Sequence, residues 1–151
     1  MSIFGKKKRI YIDYAATTPV RKEVLKAMMP YFSEDFGNAN SIHQEGVKSR
    51  ATLDIARKSV ADVLNVRSEE VIFTSGGTES NSLAIAGVIN DVKNLHAVTS
   101  TIEHPSVLEV FKALERQGLS VTYVGVDESG VIDPKDVRDA IKENTILVSV
   151  M

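Results

Sequence analysis

Apolar positions along the chain fall into two spacings. Val20, Val24, Leu25, Met28, Met29 and Phe32 recur at helical intervals, which predicts about three turns of amphipathic helix after Pro19. Val47, Ala51, Ile55, Val60, Val63 and Leu64 place a longer helix beyond the polar, Gly/Asn-rich stretch Ser33 to Gly46, itself a loop. Compact runs at Val71–Thr74, Ala97–Thr99, Val121–Val124 and Ile146–Met151 have the composition of strands, and Ile10–Asp13 reads as a short strand or an extended lead-in. Between them, helices are predicted from Thr78 to about Asn90, from Pro105 to Arg116, and from the cap pair Asp133-Pro134 to Lys142.

Strands separated by helices imply an α/β domain, a mainly parallel sheet with flanking helices. Parallel sheets are covered on both faces. A run as apolar as Ile146–Met151 is therefore expected in the middle of the sheet, feeding a further element. The sequence stops inside it. The expectation is a truncated or split chain; the alternative is a true terminus tucked into a sheet edge.

Composition narrows the function classes. Apolar residues make up 43% and charged residues 25%, as in an ordinary globular domain. A net charge of −2 gives no global attraction to nucleic acid or anionic membrane. The exception is local. Lys6-Lys7-Lys8-Arg9 reads as a flexible basic N-terminus over 1–9, ahead of a single domain over 10–151. No aromatic platform or recognition helix accompanies it, so no nucleic-acid partner is expected. Cysteine is absent, which excludes a disulfide framework, a thiolate metal site and a thiol nucleophile within these residues. No apolar stretch reaches the ~20 residues of a membrane span, and no secretory signal is recognisable. A cytoplasmic location is expected. The three histidines, His43, His96 and His104, lack ligand spacing, so no metal is expected.

Chemistry is concentrated in three segments. In Val71 to Asn81 a strand-like run meets Gly76-Gly77 and then opens a helix at Thr78. Glycines let the backbone turn and expose successive N–H groups, and a helix N-terminus adds unpaired donors with partial positive charge. That combination cradles a phosphate, with Thr78 adding a hydroxyl. A tight turn that binds nothing has the same pattern, and the two readings stay open. The segment is neither a dinucleotide fingerprint nor a Walker loop. Thr99 to Ser106 again joins strand to helix. Its His104, held before Pro105, is placed to stack on a planar ring or simply to sit at the surface. In Asp13 to Pro19, small and hydroxyl residues either line a small polar pocket or form a generic capped loop.

Together these segments resemble the cysteine desulfurases, within the class V aminotransferases of the fold type I pyridoxal 5'-phosphate (PLP) enzymes. IYIDYAATTP (10–19), FGNANSIH (36–43), FTSGGTESN (73–81), EHPSVL (103–108) and TILVSVM (145–151) follow the family's order. The resemblance implies an incomplete large PLP-binding domain. Gly77 and Thr78 would hold the cofactor phosphate. His104 would be the ring-stacking and catalytic residue. Ala15, Ala16, Asn38 and His43 would lie near the substrate. The family takes sulfur from L-cysteine, leaving L-alanine and an enzyme persulfide for iron–sulfur assembly or another acceptor protein. It works as a homodimer. Its cofactor-anchoring lysine, ring-nitrogen aspartate and sulfur-accepting cysteine would lie beyond Met151. The chain alone is therefore expected to be inactive, with a complementary C-terminal chain as the implied partner. The alternatives are another class V aminotransferase or lyase, and a non-catalytic remnant that serves as a binding module.

Overall fold

The computed structural model describes residues 10–89 and 92–151. The Lys6–Arg9 run lies outside them. The chain divides into two compact units, Met1–Ile72 and Phe73–Met151.

The first unit is helical. Helix α1 spans Lys22–Met28 and continues as a 3₁₀ turn over Met29–Phe32. Together they supply the expected three turns. Pro30 explains the change of hand-hold: it lacks the N–H that an α-helix would use there. Helix α2 runs Gln44–Leu64 and ends on Asn65 in the left-handed conformation, φ 55°. Of α2, only Gly46 and Ala61 are buried. The apolar face expected to be its inner side is exposed instead, with Ile55 at 69% and Val63 at 86%.

Of the two readings open for 10–13, a short strand or a lead-in, the lead-in holds: no strand forms there, and the segment runs into a turn at 14–16. One strand expectation is not met. No strand forms at 71–74, although Val71 is extended (φ −94°, ψ 118°). A strand is defined by its ladder, and the Val71 carbonyl instead accepts from Arg57 Nε at 3.2 Å.

The second unit carries the sheet. Its order is α3 (Gly77–Val88), β1 (His96–Ser100), α4 (Pro105–Glu115), β2 (Ser120–Val124), α5 (Pro134–Ala140) and β3 (Thr145–Ser149). The three strands are parallel, in the order β2-β1-β3. The helices connect strands that run the same way, as the alternating pattern implied. The central place falls to β1, whose five residues are all buried. β3, expected in the middle, lies at an edge of this sheet, and its Ile146 and Val148 stay 42% and 41% exposed. The core gathers Ile85 and Ile89, Ala97 of β1, Val107, Phe111 and Leu114 of α4, and Leu119.

At the start of the sheet a buried histidine joins all three strands. His96 is fully buried, and pairs in register with Ser120 and Thr145. Its Nδ1 lies 2.7 Å from Thr145 Oγ1 and its Nε2 2.8 Å from Thr122 Oγ1. A bulge between His96 and Ala97 lets Thr145 share the histidine's side of the sheet. Burial holds the imidazole below its ordinary value, and the Lys142 ammonium adds to the effect. The folded state therefore prefers a neutral ring, while the unfolded chain protonates near 6.5. Below that pH the unfolded state binds more protons, so stability is full above it and falls as the solution is acidified. The loss stops growing beneath the lowered folded value. Its slope is bounded by one proton, about 1.4 kcal/mol per pH unit. Glu70, Glu79 and Glu109, all held below 4.5, act only at lower pH. Urea unfolding followed on β1 amides should thus weaken from about pH 7 to about pH 5, and His96→Gln should flatten the profile. An unchanged profile in that variant would show that the histidine is not the sensor.

Candidate functional site

Helix α3 opens as the Gly-Gly motif suggested. Its first intrahelical bond at this end is Ser80 N–H to Gly76 O, 3.1 Å. The N–H groups of Gly77, Thr78 and Glu79 precede it and point out of the helix end. Upstream, Thr74 Oγ1 lies 2.7 Å from Ser80 Oγ, and the Glu79 carboxylate accepts from Ser75 N–H at 2.6 Å. Those bonds fix the turn and hold the Glu79 carboxyl below its ordinary range, through the hydroxyl and the N–H of Ser75. A Cβ added at Gly76 or Gly77 would meet nothing within 4 Å. The fold therefore does not need glycine there for packing. What the missing side chains leave is open space beside the free amides, of the kind a phosphate occupies.

His104 is the N-cap of α4. Its Nδ1 accepts from Ser106 N–H at 3.0 Å and lies 2.7 Å from Ser106 Oγ. The ring is otherwise exposed, so a face is available for stacking. Just before it, Glu103 is buried at 8% exposure and accepts from Ser149 Oγ at 3.4 Å. The hydroxyls of Thr99 and Ser100, at the end of β1, are buried with no hydrogen bond among the described residues. Within the second unit, Gly77, Thr78 and His104 all sit at helix N-termini, and α3 packs on α4.

In the first unit, Ala15 and Ala16 lie on an exposed turn closed by Ala16 N–H to Asp13 O, 3.2 Å. The pocket beside that turn, about 450 Å³, is lined by Tyr11, Tyr14, Thr17, Thr18 and Pro19, and not by the alanines. Tyr11 and Tyr14 meet edge to face at 5.2 Å, and Tyr11 OH donates to Asp13 O at 2.8 Å. Asn38 is exposed, yet its Oδ1 already accepts from Asn40 N–H at 2.9 Å. Its amide nitrogen and the second lone pair of Oδ1 are left for a ligand. His43 stands at the N-cap position of α2, where Gly46 N–H lies 3.4 Å from Nδ1 and Glu45 Oε2 lies 2.9 Å from the same atom. One nitrogen cannot serve both contacts in one protonation state. The shorter, charge-assisted contact governs, and it places the proton on Nδ1.

Gly46 and Arg50, which help hold this loop, gave no sequence signal as site residues; Gly37, which also holds it, lies within the FGNANSIH run. A Cβ at Gly37 would lie 2.5 Å from Glu45 O, and one at Gly46 would lie 2.3 Å from Ser41 O. Arg50, one turn along α2, donates to Ala39 O at 3.0 Å and to Asn40 Oδ1 at 2.6 Å. Backbone approach of this kind depends on tertiary placement, which spacing alone does not reveal.

Known proteins share this arrangement. The family model described as aminotransferase class-V matches residues 10–151. The cysteine desulfurase IscS of Dictyoglomus turgidum is 48% identical over 147 residues, covering 96% of this chain and 37% of that protein. The IscS of Methanosarcina thermophila is 49% identical over 146 residues, covering 95% and 36% respectively. Among solved structures, a NifS-like protein superposes with a TM-score of 0.89 at 38% identity, over 95% of this chain and 40% of that one. A structure described as SspA in complex with cysteine gives a TM-score of 0.85 at 41% identity, over 93% and 41%. The chain thus spans little more than a third of the length of these curated relatives. With a family match over nearly every described residue, and a fold that follows solved desulfurase-like structures, the chain belongs to the aminotransferase class-V family, whose members are PLP-dependent enzymes.

Proposed function

We propose that residues 10–151 are part of the large PLP-binding domain of a cytoplasmic cysteine desulfurase, and that they supply its phosphate cradle and ring-stacking histidine. The observation that carries this reading is the end of α3. Amides of Gly77 and Thr78, left unpartnered at the helix end, open onto free space, and a Cβ added at Gly76 or Gly77 would meet no protein atom within 4 Å. The chemistry of that donor set suits a phosphate dianion: backbone N–H groups, a hydroxyl and the positive end of a helix.

In this reading Gly77 and Thr78 hold the phosphate, and His104 lies against the pyridine ring. Ala15, Ala16, Asn38 and His43 serve the amino-acid substrate, L-cysteine. Bound there, PLP supplies an electron sink for bond cleavage at the substrate's α-carbon and beyond. A thiolate would take the sulfur, an S–S bond forming as the substrate's Cβ–S bond breaks. These 151 residues contain no cysteine, so another segment has to provide the thiolate. The whole enzyme's partners are accordingly a second subunit or a complementary chain, and a protein that accepts sulfur for cluster assembly.

Gly77→Val tests the cradle. Because an added Cβ meets no protein atom within 4 Å, the fold should be preserved and anion approach blocked. Titration calorimetry with PLP, and separately with inorganic phosphate, should show binding at least about tenfold weaker, the loss of roughly one charge-assisted hydrogen bond. Equal affinity in both proteins, with unchanged circular dichroism, would overturn the cradle.

A further inference from the structure

A chain of polar contacts links the two helices that carry the candidate cofactor residues. Asn81, one turn into α3, has Nδ2 2.8 Å from Ser106 Oγ, twenty-five residues away in sequence. Ser106 Oγ is in turn 2.7 Å from His104 Nδ1. The direction of each bond follows from one fixed donor. Ser106 N–H can only donate, and it points at His104 Nδ1 from 3.0 Å. Nδ1 is therefore an acceptor, and the proton of the neutral imidazole is on Nε2. The Ser106 hydroxyl, so close to the same nitrogen, must turn its hydrogen toward it. Its oxygen is then left as an acceptor, which makes the facing atom of Asn81 the amide NH₂ and not the carbonyl. All three assignments agree with one another, with the Ser106 N–H and O–H sharing the single lone pair of Nδ1.

We propose that Asn81 and Ser106 are positioning residues for His104: through two convergent donors on Nδ1 they set the rotation of its ring and leave Nε2–H as its one free polar edge. The main-chain N–H alone would cap α4. A single bond to Nδ1, however, leaves the ring free to swing about it. The second donor, 2.7 Å away and itself held by α3, removes that freedom. Asn81 lies one helical turn beyond Gly77 and Thr78, so the same helix end that faces the phosphate site also indexes the ring. A planar cofactor held at both places would find its two contacts pre-set relative to each other. Pre-set geometry of this kind lowers the ordering cost of binding. The value of the arrangement for a cofactor rests on the PLP reading above; the arrangement itself does not.

The two parts are tested separately on the full 151-residue chain. Proton–nitrogen correlation spectra of the free chain report hydrogen bonding at His104 Nδ1 directly. In the wild type that nitrogen should resonate as an unprotonated, strongly hydrogen-bonded acceptor, with the proton on Nε2. Ser106→Ala should shift it toward a free acceptor. Asn81→Ala should shift it part of the way, because the unheld hydroxyl is then free to rotate. Ser106→Thr, which keeps the hydroxyl, should restore it. A purely structural role for these side chains would move helix stability and not this resonance, and the amide spectrum of the sheet serves as the check that each variant folds. A proton on Nδ1 in the wild type, or a Nδ1 signal unmoved in both alanine variants, would overturn the proposal. PLP titration of the same proteins then reads the consequence: about fivefold weaker binding for Ser106→Ala, the worth of one neutral hydrogen bond. Failure of the wild type to bind PLP would count against the cofactor reading and leave the ring assignment standing on its spectra.

Discussion

Phe111→Ala should remove about 3–5 kcal/mol from the stability of the sheet-bearing unit, the range found for truncating a buried aromatic. Phe111 is completely buried, the largest side chain to be so among the described residues. It belongs to the cluster that contains Ile85 and Ile89, Ala97 of the central strand, and Leu114 and Leu119. Deleting the ring exposes or empties the space between the helices and the sheet, and the surrounding side chains can close it only in part. A domain typically has about 5–15 kcal/mol to lose. The variant should therefore unfold at markedly lower urea concentration, with the same slope. Phe111→Leu, which keeps much of the apolar volume, should lose much less. A change below about 1 kcal/mol for the alanine variant would mean that the core collapses around the site without penalty.

What the sequence disclosed, and what it did not, follows from the range of the forces involved. Helices α4 and α5 were legible because their starts are local: His104-Pro105 and Asp133-Pro134 put an acceptor and a fixed φ next to each other, and both side chains do cap. β1 and β2 were legible because short β-branched runs between helices have few other uses. The segment at 71–74 has the same composition, yet it forms no strand, since a ladder needs a neighbour that composition cannot supply. The place of β3 failed for a related reason: hydrophobicity announces burial, while strand order is decided by pairing. The placement of Gly77, Thr78 and His104 at helix N-termini was readable from the strand–turn–helix pattern. The contact of Asn81 with Ser106 was not, since it joins positions far apart in sequence through the packing of α3 on α4. Asn38 shows the opposite case. A residue expected to face substrate spends its carbonyl oxygen on its own turn, a use common to asparagines in loops.

The chain should associate in solution. Ile42, Ile12 and Val63 are 98%, 88% and 86% exposed, and Ile10, Phe32 and Ile55 are 79%, 70% and 69% exposed. Single exposed apolar residues are ordinary, but so many large ones, including much of a 21-residue helix, leave apolar area in water at about 25 cal/mol per Å². The sheet adds a second drive. Among the described residues β2 and β3 each pair on one side only, and the outward β3 residues Ile146 and Val148 are half-exposed. An apolar parallel edge is a template for another strand. Light scattering at ~100 µM should give a mass that rises with concentration, as expected for exposed edges and faces at such concentrations. Two variants separate the drives. Ile55→Lys with Val63→Glu charges the exposed side of α2 and should lower the mass if burial of that face dominates. Ile146→Lys charges the edge strand and should lower it if strand addition dominates. Ile55 and Val63 are mostly exposed, so charging them should cost the fold little; Ile146 is more than half buried, so circular dichroism and urea unfolding of its variant check that the fold is kept. A sharp, concentration-independent monomer in the wild type would mean that water tolerates both surfaces, and the expectation of a second subunit or complementary chain would lose its physical basis.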